Sequence, residues 1–159
     1  MDRIGTLEIA IRNEKAEIDF YRGAAARATD RGARTLFEML ADQEEHHVTM
    51  HEQLAERLAE QSAWPAELDL ASTPQNILEV LDGLHLLGVT DGTEDLGQDA
   101  ALERAIGFER AAEQFYGGLA AAATDQGERQ FWTSMAGFER DHRRWIETFR
   151  AAFAEAGDR

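Results

Sequence analysis

The chain has 159 residues, a formal net charge of −15, no cysteine and only two prolines, Pro65 and Pro74. That length suits one domain with its own core, and the missing cysteine excludes disulfides, zinc–thiolate sites, iron–sulfur clusters and a rubredoxin-type centre. The acidic balance argues against nucleic acid and anionic lipid as partners and favours cations, although it equally serves as a solvated surface. Abundant alanine and the absence of β-branched runs point to an all-α fold. No stretch approaches the roughly 18 apolar residues of a membrane span. The start, Met1-Asp2-Arg3-Ile4-Gly5, lacks the basic region and apolar run of a signal peptide, so a cytoplasmic protein is expected.

In the first helix, Ile4, Leu7, Ile11, Glu14, Ile18, Tyr21, Ala25 and Ala28 recur at alternating three- and four-residue steps. This is the stripe of a bundle seam. Glu14 is the wrong chemistry for such a stripe, and Glu17 follows it one turn on. A turn with a capping residue and a glycine is predicted over Ala28-Thr29-Asp30-Arg31-Gly32. The second stripe runs Ala33, Leu36/Phe37, Leu40, Glu44, His47, His51, Leu54 and Leu58. It is polar in the middle and apolar at both ends, and should fade between Gln61 and Trp64.

Residues 62–98 break the pattern. Thr73 suits an N-cap, Pro74 a first helical position and Gly88 a stop, which predicts a short helix burying Ile77, Leu81 and Leu84. The acidic run Asp91-Gly92-Thr93-Glu94-Asp95 lacks the spacing of a calcium loop and reads as a solvated turn. The third helix resumes the seam with Leu102, Ala105/Ile106, Glu109, Ala112, Tyr116, Leu119 and Ala123. After a turn at Ala123-Thr124-Asp125-Gln126-Gly127, the fourth carries Phe131, Met135, Phe138/Glu139, His142, Ile146, Phe149 and Phe153, and the tail Gly157-Asp158-Arg159 ends it.

Sliding the chain by 95 positions aligns 7–60 with 102–155 without a gap. Leu7/Leu102, Glu14/Glu109, Phe20/Phe115, Tyr21/Tyr116, Asp30/Asp125, Gly32/Gly127, Arg34/Arg129, Glu44/Glu139 and His47/His142 all match. This is a duplicated helical hairpin. One hairpin cannot bury its own stripe, so the two should pack together. We expect a single domain over 1–159, with hairpins over about 2–61 and 99–156 and a crossover over 62–98. A connector that long can start the third helix from the far end of the bundle, the one-crossover arrangement of ferritin-like folds.

Glu14 lies about as far before the first turn as Glu44 and His47 lie after it, some 23–25 Å at 1.5 Å per residue. Glu109, Glu139 and His142 have the same offsets from the second turn. Two-fold packing therefore brings four carboxylates and two imidazoles to one layer. A buried, unpaired carboxylate costs on the order of several kcal/mol, and four would roughly cancel the ~5–15 kcal/mol stability of a domain. No Lys or Arg stands on the four seams. The carboxylates must then be protonated, open to water or bound to cations, and the two imidazoles favour first-row transition metals. One Glu on each of two helices with Glu-x-x-His on the other two is the di-iron carboxylate pattern.

These residues give the chain its resemblance to the rubrerythrin and ferritin-like superfamily. The carriers are Ala10-Ile11-x-x-Glu14-x-Ala16-x-x-x-Phe20-Tyr21 and its echo Ala105-Ile106-x-x-Glu109-x-Ala111-x-x-x-Phe115-Tyr116. With them go Leu40-Ala41-Asp42-x-Glu44-x-x-His47 and Met135-Ala136-x-x-Glu139-x-x-His142. The resemblance implies that Glu44 and Glu139 bridge or flank two irons, that His47 and His142 each bind one, and that Glu14 and Glu109 complete the shell. Tyr21 and Tyr116 match family tyrosines that hydrogen-bond ligand carboxylates. Family members often carry a further carboxylate three residues after the helix-three glutamate. Here Ala112 stands there and Glu17 holds the equivalent place in helix one, which makes Glu17 a candidate seventh ligand. His51 has no echo, since Ile146 occupies that position, and it reads as an interior histidine; His46 and His85 take the same bland reading rather than that of ligands, with Glu45 and His46 flanking the inward Glu44 and His47. Trp132 and Trp145 read as core or helix-packing residues.

The resemblance implies a di-iron oxidoreductase that reduces peroxide or dioxygen with Fe(II). Its electrons must come from a separate donor, since no rubredoxin domain can exist without cysteine. Ferroxidase activity coupled to iron storage or detoxification is the alternative, and two manganese ions could fill the same site. A plain helical bundle with hydrogen-bonded Glu–His pairs is the bland reading. Association as a homodimer is expected.

Overall fold

The computed structural model describes residues 2–61, 63–65 and 96–157. The short helix expected between Thr73 and Gly88, His85 and the acidic run at 91–95 lie outside the described residues. Four helices make up the rest: α1 (Arg3–Arg27), α2 (Arg31–Gln61), α3 (Leu96–Ala122) and α4 (Gln126–Gly157). Pro65 lies just past α2, where its clash with a preceding turn and its missing N–H do no harm. No described helix is long and apolar enough to cross a membrane.

The duplicated turns are duplicated in detail. In the first, Asp30 Oδ1 accepts from the Ala33 N–H at 2.8 Å and the Arg34 guanidinium donates back to the Ala28 carbonyl at 2.9 Å. In the second, Asp125 Oδ1 accepts from the Glu128 N–H at 3.0 Å and Arg129 donates to the Ala123 carbonyl at 2.7 Å. Each aspartate satisfies an orphan donor at a helix start and each arginine an orphan acceptor at a helix end. The shared glycines have a packing reason. A Cβ on Gly32 would lie 3.0 Å from the Phe149 ring, and one on Gly127 would lie 3.2 Å from the Pro65 carbonyl oxygen. Asp30→Ala should cost about 1 kcal/mol. In a chain of this size that lowers the melting temperature by roughly 2–4 °C, read by far-UV circular dichroism.

Those contacts also set the topology. The first turn abuts Phe149, near the end of α4, while the second abuts Trp64 and Pro65, just past α2. Arg3 at the start of α1 pairs with Glu128 at the start of α4, and the start of α3 packs beside Ala24, Ala28 and Phe37. The two hairpins are thus antiparallel to one another, and the chain leaves α2 at one end of the bundle and enters α3 at the other. This is the one-crossover, ferritin-like four-helix arrangement expected from the sequence.

The core is divided in two. One apolar cluster gathers Leu36, Phe37, Leu40, Leu102, Ile146 and Phe149 around the first turn. The other gathers Leu7, Leu54, Leu58, Phe131, Trp132 and Met135 around the second. Between them lies a polar layer. The α1 seam is turned slightly from its expected direction: Ile11 and Ile18 are only half-buried, while Ala10, Glu17 and Ala24 face inward. His46 flanks the seam, as its position one step from His47 predicts, and its side chain is exposed. The exposure follows from the register, because one step before the inward His47 lies about 100° around the helix.

Candidate metal centre

The mid-bundle layer contains Glu14 and Glu17 from α1, Glu44, His47 and His51 from α2, Glu109 from α3, and Glu139 and His142 from α4, each at most 8% exposed. No lysine or arginine is buried among the described residues. The Glu-x-x-His steps put both side chains of each pair on one helical face.

The layer holds two overlapping donor groups, each compact enough to hold a metal ion: Glu14, Glu44, His47 and Glu139, and Glu44, Glu109, Glu139 and His142. Around His47 Nδ1 stand Glu44 Oε2 at 2.9 Å, Glu139 Oε1 at 3.4 Å and Glu14 Oε2 at 3.5 Å. Around His142 Nδ1 stand Glu44 Oε1 at 2.9 Å, Glu139 Oε2 at 3.4 Å and Glu109 Oε2 at 3.5 Å. Glu44 and Glu139 therefore turn one oxygen to each group, while Glu14 and Glu109 each belong to one. The two imidazoles lie face to face, 5.3 Å between centroids.

The outer oxygens are occupied. Tyr21, in the first hairpin, donates its hydroxyl to Glu109 Oε1 in the second. Tyr116, in the second, donates to Glu14 Oε1 in the first. His51 Nε2 lies 3.3 Å from that same Glu14 oxygen and 3.1 Å from the Tyr116 hydroxyl. The inner atoms differ: Glu14 Oε2, Glu44 Oε1, Glu109 Oε2, both Glu139 oxygens and His142 Nδ1 crowd together without a hydrogen bond of proper geometry. Buried polar atoms are normally satisfied. So many orphans converging on two points, in an oxygen-and-nitrogen donor set, fit metal ions. Two divalent ions would also balance the four carboxylates of the two groups.

Protonation follows the same geometry. Burial, then repulsion from Glu139 and Glu14, pushes the Glu44 carboxyl well above its usual range. Burial likewise raises Glu109 to about 7, and burial followed by repulsion from Glu44 and Glu109 raises Glu17 well above the ordinary value. Glu14 goes the other way: burial opposes its charge, but hydrogen bonds from Glu44, His47 and His51 hold it well below the carboxylate range. Glu139 is also lowered, against burial and the charge of Glu14, by His47 and His142. Burial disfavours the charged imidazoles, yet Glu44 with Glu139 raises His47, and Glu44 with Glu109 raises His142, well above the usual histidine value. In the metal-free chain, protons supply the positive charge that the carboxylates require.

Of the residues singled out in the sequence, all six expected ligands come together. Both tyrosines reach ligand-type carboxylates, each across to the opposite hairpin. Glu17 is buried in the layer but belongs to neither donor group. His51 supports the outer oxygen of Glu14 and is likewise outside both groups. Trp132 is core, stacked on Tyr116 at 5.6 Å. Sequence reasoning did not foresee that Phe138 would cover His47 and Trp145 would cover His142, at 5.5 and 5.1 Å between centroids. Phe138 precedes the inward Glu139 and Trp145 lies three residues after His142, but periodicity alone does not say which ring covers which histidine.

The fold and the layer together define a four-helix bundle carrying a buried carboxylate–imidazole cluster able to hold metal. The chain belongs to the ferritin-like domain family, whose model matches residues 2–152. No curated protein and no solved structure gave a match.

Proposed function

We propose that Glu14, Glu44, His47, Glu109, Glu139 and His142 hold two iron ions, and that the protein is an oxidoreductase reducing peroxide or dioxygen. The observation that carries this is the sharing of Glu44 and Glu139: each turns one oxygen to each imidazole. Two ferrous ions so held would supply electrons to an O–O bond and polarise its oxygens. The chain's own groups do the rest. Tyr21 and Tyr116 tie down the outer oxygens of Glu109 and Glu14, so that each carboxylate offers its inner oxygen. The apolar clusters on either side and the rings of Phe138 and Trp145 keep bulk water away from the layer, which strengthens every charge interaction inside it. Reducing equivalents come from a separate donor, since the chain lacks the cysteines of an electron-transfer iron–sulfur site.

Anaerobic Fe(II) titration tests the reading. Two ions per chain are expected, and binding far from that number would sink it. Stoichiometric turnover of peroxide under a reductant supports the oxidoreductase. Accumulation of a mineral core in a hollow multi-subunit shell, seen by size exclusion and electron microscopy, would instead support iron storage.

Tyr21→Phe and Tyr116→Phe each remove one hydrogen bond from a carboxylate without altering the donor set. Outer partners of this kind are worth roughly 10–100-fold in metal affinity. A competition titration against a metal chelator should show that loss in each variant, with two ions still bound at saturation.

A further inference from the structure

The internal repeat is broken beside the cluster at His51, whose echo is Ile146, and at Glu17. Glu17 should be echoed by a glutamate, but position 112 is alanine. Both residues line the same cleft between α1 and α3, a cavity of about 260 Å³. Its inner wall is Glu14 and Glu17, its sides are Phe108, Phe115 and Tyr116, and the exposed Asn13 stands at its rim. The small side chain at Ala112 leaves the room that the cleft occupies.

Among the described residues the layer is covered on its other sides. Apolar clusters lie on either side of it along the bundle. Rings of Phe138 and Trp145 lie against the histidines from α4. Glu44, Glu109 and Glu139 are fully buried and Glu14 is 3% exposed, whereas Glu17 is 8% exposed. Glu17 is thus more than nine-tenths buried, lines the cleft, and takes part in no hydrogen bond or ion pair among the described residues. Six waters occupy about 180 Å³ at ~30 Å³ each, so the cleft has room for a divalent cation with much of its hydration shell.

We propose that the α1–α3 cleft is the route by which divalent cations reach the centre, and that Glu17 is the carboxylate that takes an ion from water and hands it to Glu14. This rests on the metal-centre reading above. A hydrated ion crossing between Phe108 and Phe115 loses water, and a carboxyl at the inner end that exchanges its proton for the ion offsets that loss. Glu17 supplies that carboxyl outside both donor groups, so it governs the rate of loading rather than the number of ions held. The alanine at 112 follows from the same role, since a glutamate there would fill the passage.

The test is the rate of metal uptake by the intact metal-free chain, followed by stopped-flow absorbance with Co(II), beside the equilibrium stoichiometry. In Glu17→Gln, nearly isosteric, uptake should slow roughly tenfold or more, the range typical of electrostatic effects on association, while two ions still bind at equilibrium. Ala112→Leu, which narrows the cleft without touching a carboxylate, should slow uptake similarly. Far-UV circular dichroism confirms that each variant is folded. Wild-type rates in both variants overturn the proposal. A Glu17→Gln chain that loads at the normal rate but holds fewer ions overturns it too, making Glu17 a permanent ligand. A wild-type chain that takes up no Co(II) and no Fe(II) overturns the metal-centre reading and this one with it.

Discussion

Replacing Glu44 by alanine is expected to abolish uptake of both ions, whereas Glu14→Ala should cost one. Glu44 turns Oε2 to His47 and Oε1 to His142, each at 2.9 Å. Removing it takes a donor from both groups and leaves two imidazoles facing each other with Glu139 alone between them. Glu14 contributes only to the His47 group and Glu109 only to the His142 group. Fe(II) titration should therefore give near zero, one and one ion per chain for Glu44→Ala, Glu14→Ala and Glu109→Ala. Equal losses in all three would sink the shared-carboxylate geometry. Unfolding does not offer an easy alternative explanation. In the metal-free chain burial and the charges of Glu139 and Glu14 favour the neutral Glu44 carboxyl, so a neutral glutamine of the same shape changes the buried charge little. The metal-free Glu44→Gln chain should melt no lower than the wild type, so loss of metal without loss of fold is the expected pattern. A centre kept for function at the expense of the empty fold is a familiar trade-off.

The second large effect is the contribution of metal to stability, and its dependence on pH. An ion that binds only the folded chain stabilises it by about 4 kcal/mol at a thousandfold excess over its dissociation constant. Two ions bring about 8 kcal/mol, which for a chain of this size means a melting temperature higher by roughly 15–30 °C. Chelation should reverse that gain. The metal-free chain should also lose stability as pH rises above neutral. His47 and His142 are raised above the ordinary 6.5, so their contribution is complete below that value and is lost as pH rises through the folded values. Glu44 and Glu109 are raised above the ordinary 4.5, Glu109 to about 7, and they act in the same direction. Glu14 and Glu139 are lowered. Their contribution is present above 4.5 and disappears as pH falls through their depressed values. The metal-free optimum therefore lies on the acidic side of neutrality. Metal must displace the protons on His47, His142, Glu44 and Glu109, so its affinity rises with pH. Thermal melts at about pH 5.5 and about pH 8, with Mn(II) and with chelator, should show the gap widening with pH. A gap that narrows would contradict this protonation scheme.

Much of the fold could be read because the chain states it twice. The 95-residue offset pairs every member of the six-residue set with another, and the same offset pairs the turns, whose Asp30 and Asp125 then form matching caps. Helix period and rise place Glu14, Glu44 and Glu109 at one height without any knowledge of contacts. The less legible features depend on rotation and on neighbours distant in sequence. A stripe of alternating threes and fours defines a face only to within tens of degrees, which is why Ile11 and Ile18 lie at the edge of the seam and Glu17 inside it.

What the sequence determined by itself was the inventory: four amphipathic helices, their lengths and turns, and four carboxylates with two imidazoles on faces that must be buried. Those follow from local periodicity and from the cost of burying charge, which are properties of the chain at short range. Only the tertiary structure decided which oxygen faces which imidazole, that each tyrosine reaches into the opposite hairpin, and that a cleft opens beside Glu17 and Ala112. These are relations between side chains roughly a hundred positions apart, fixed by how the hairpins rotate against one another when their apolar faces close, and no local pattern encodes that angle.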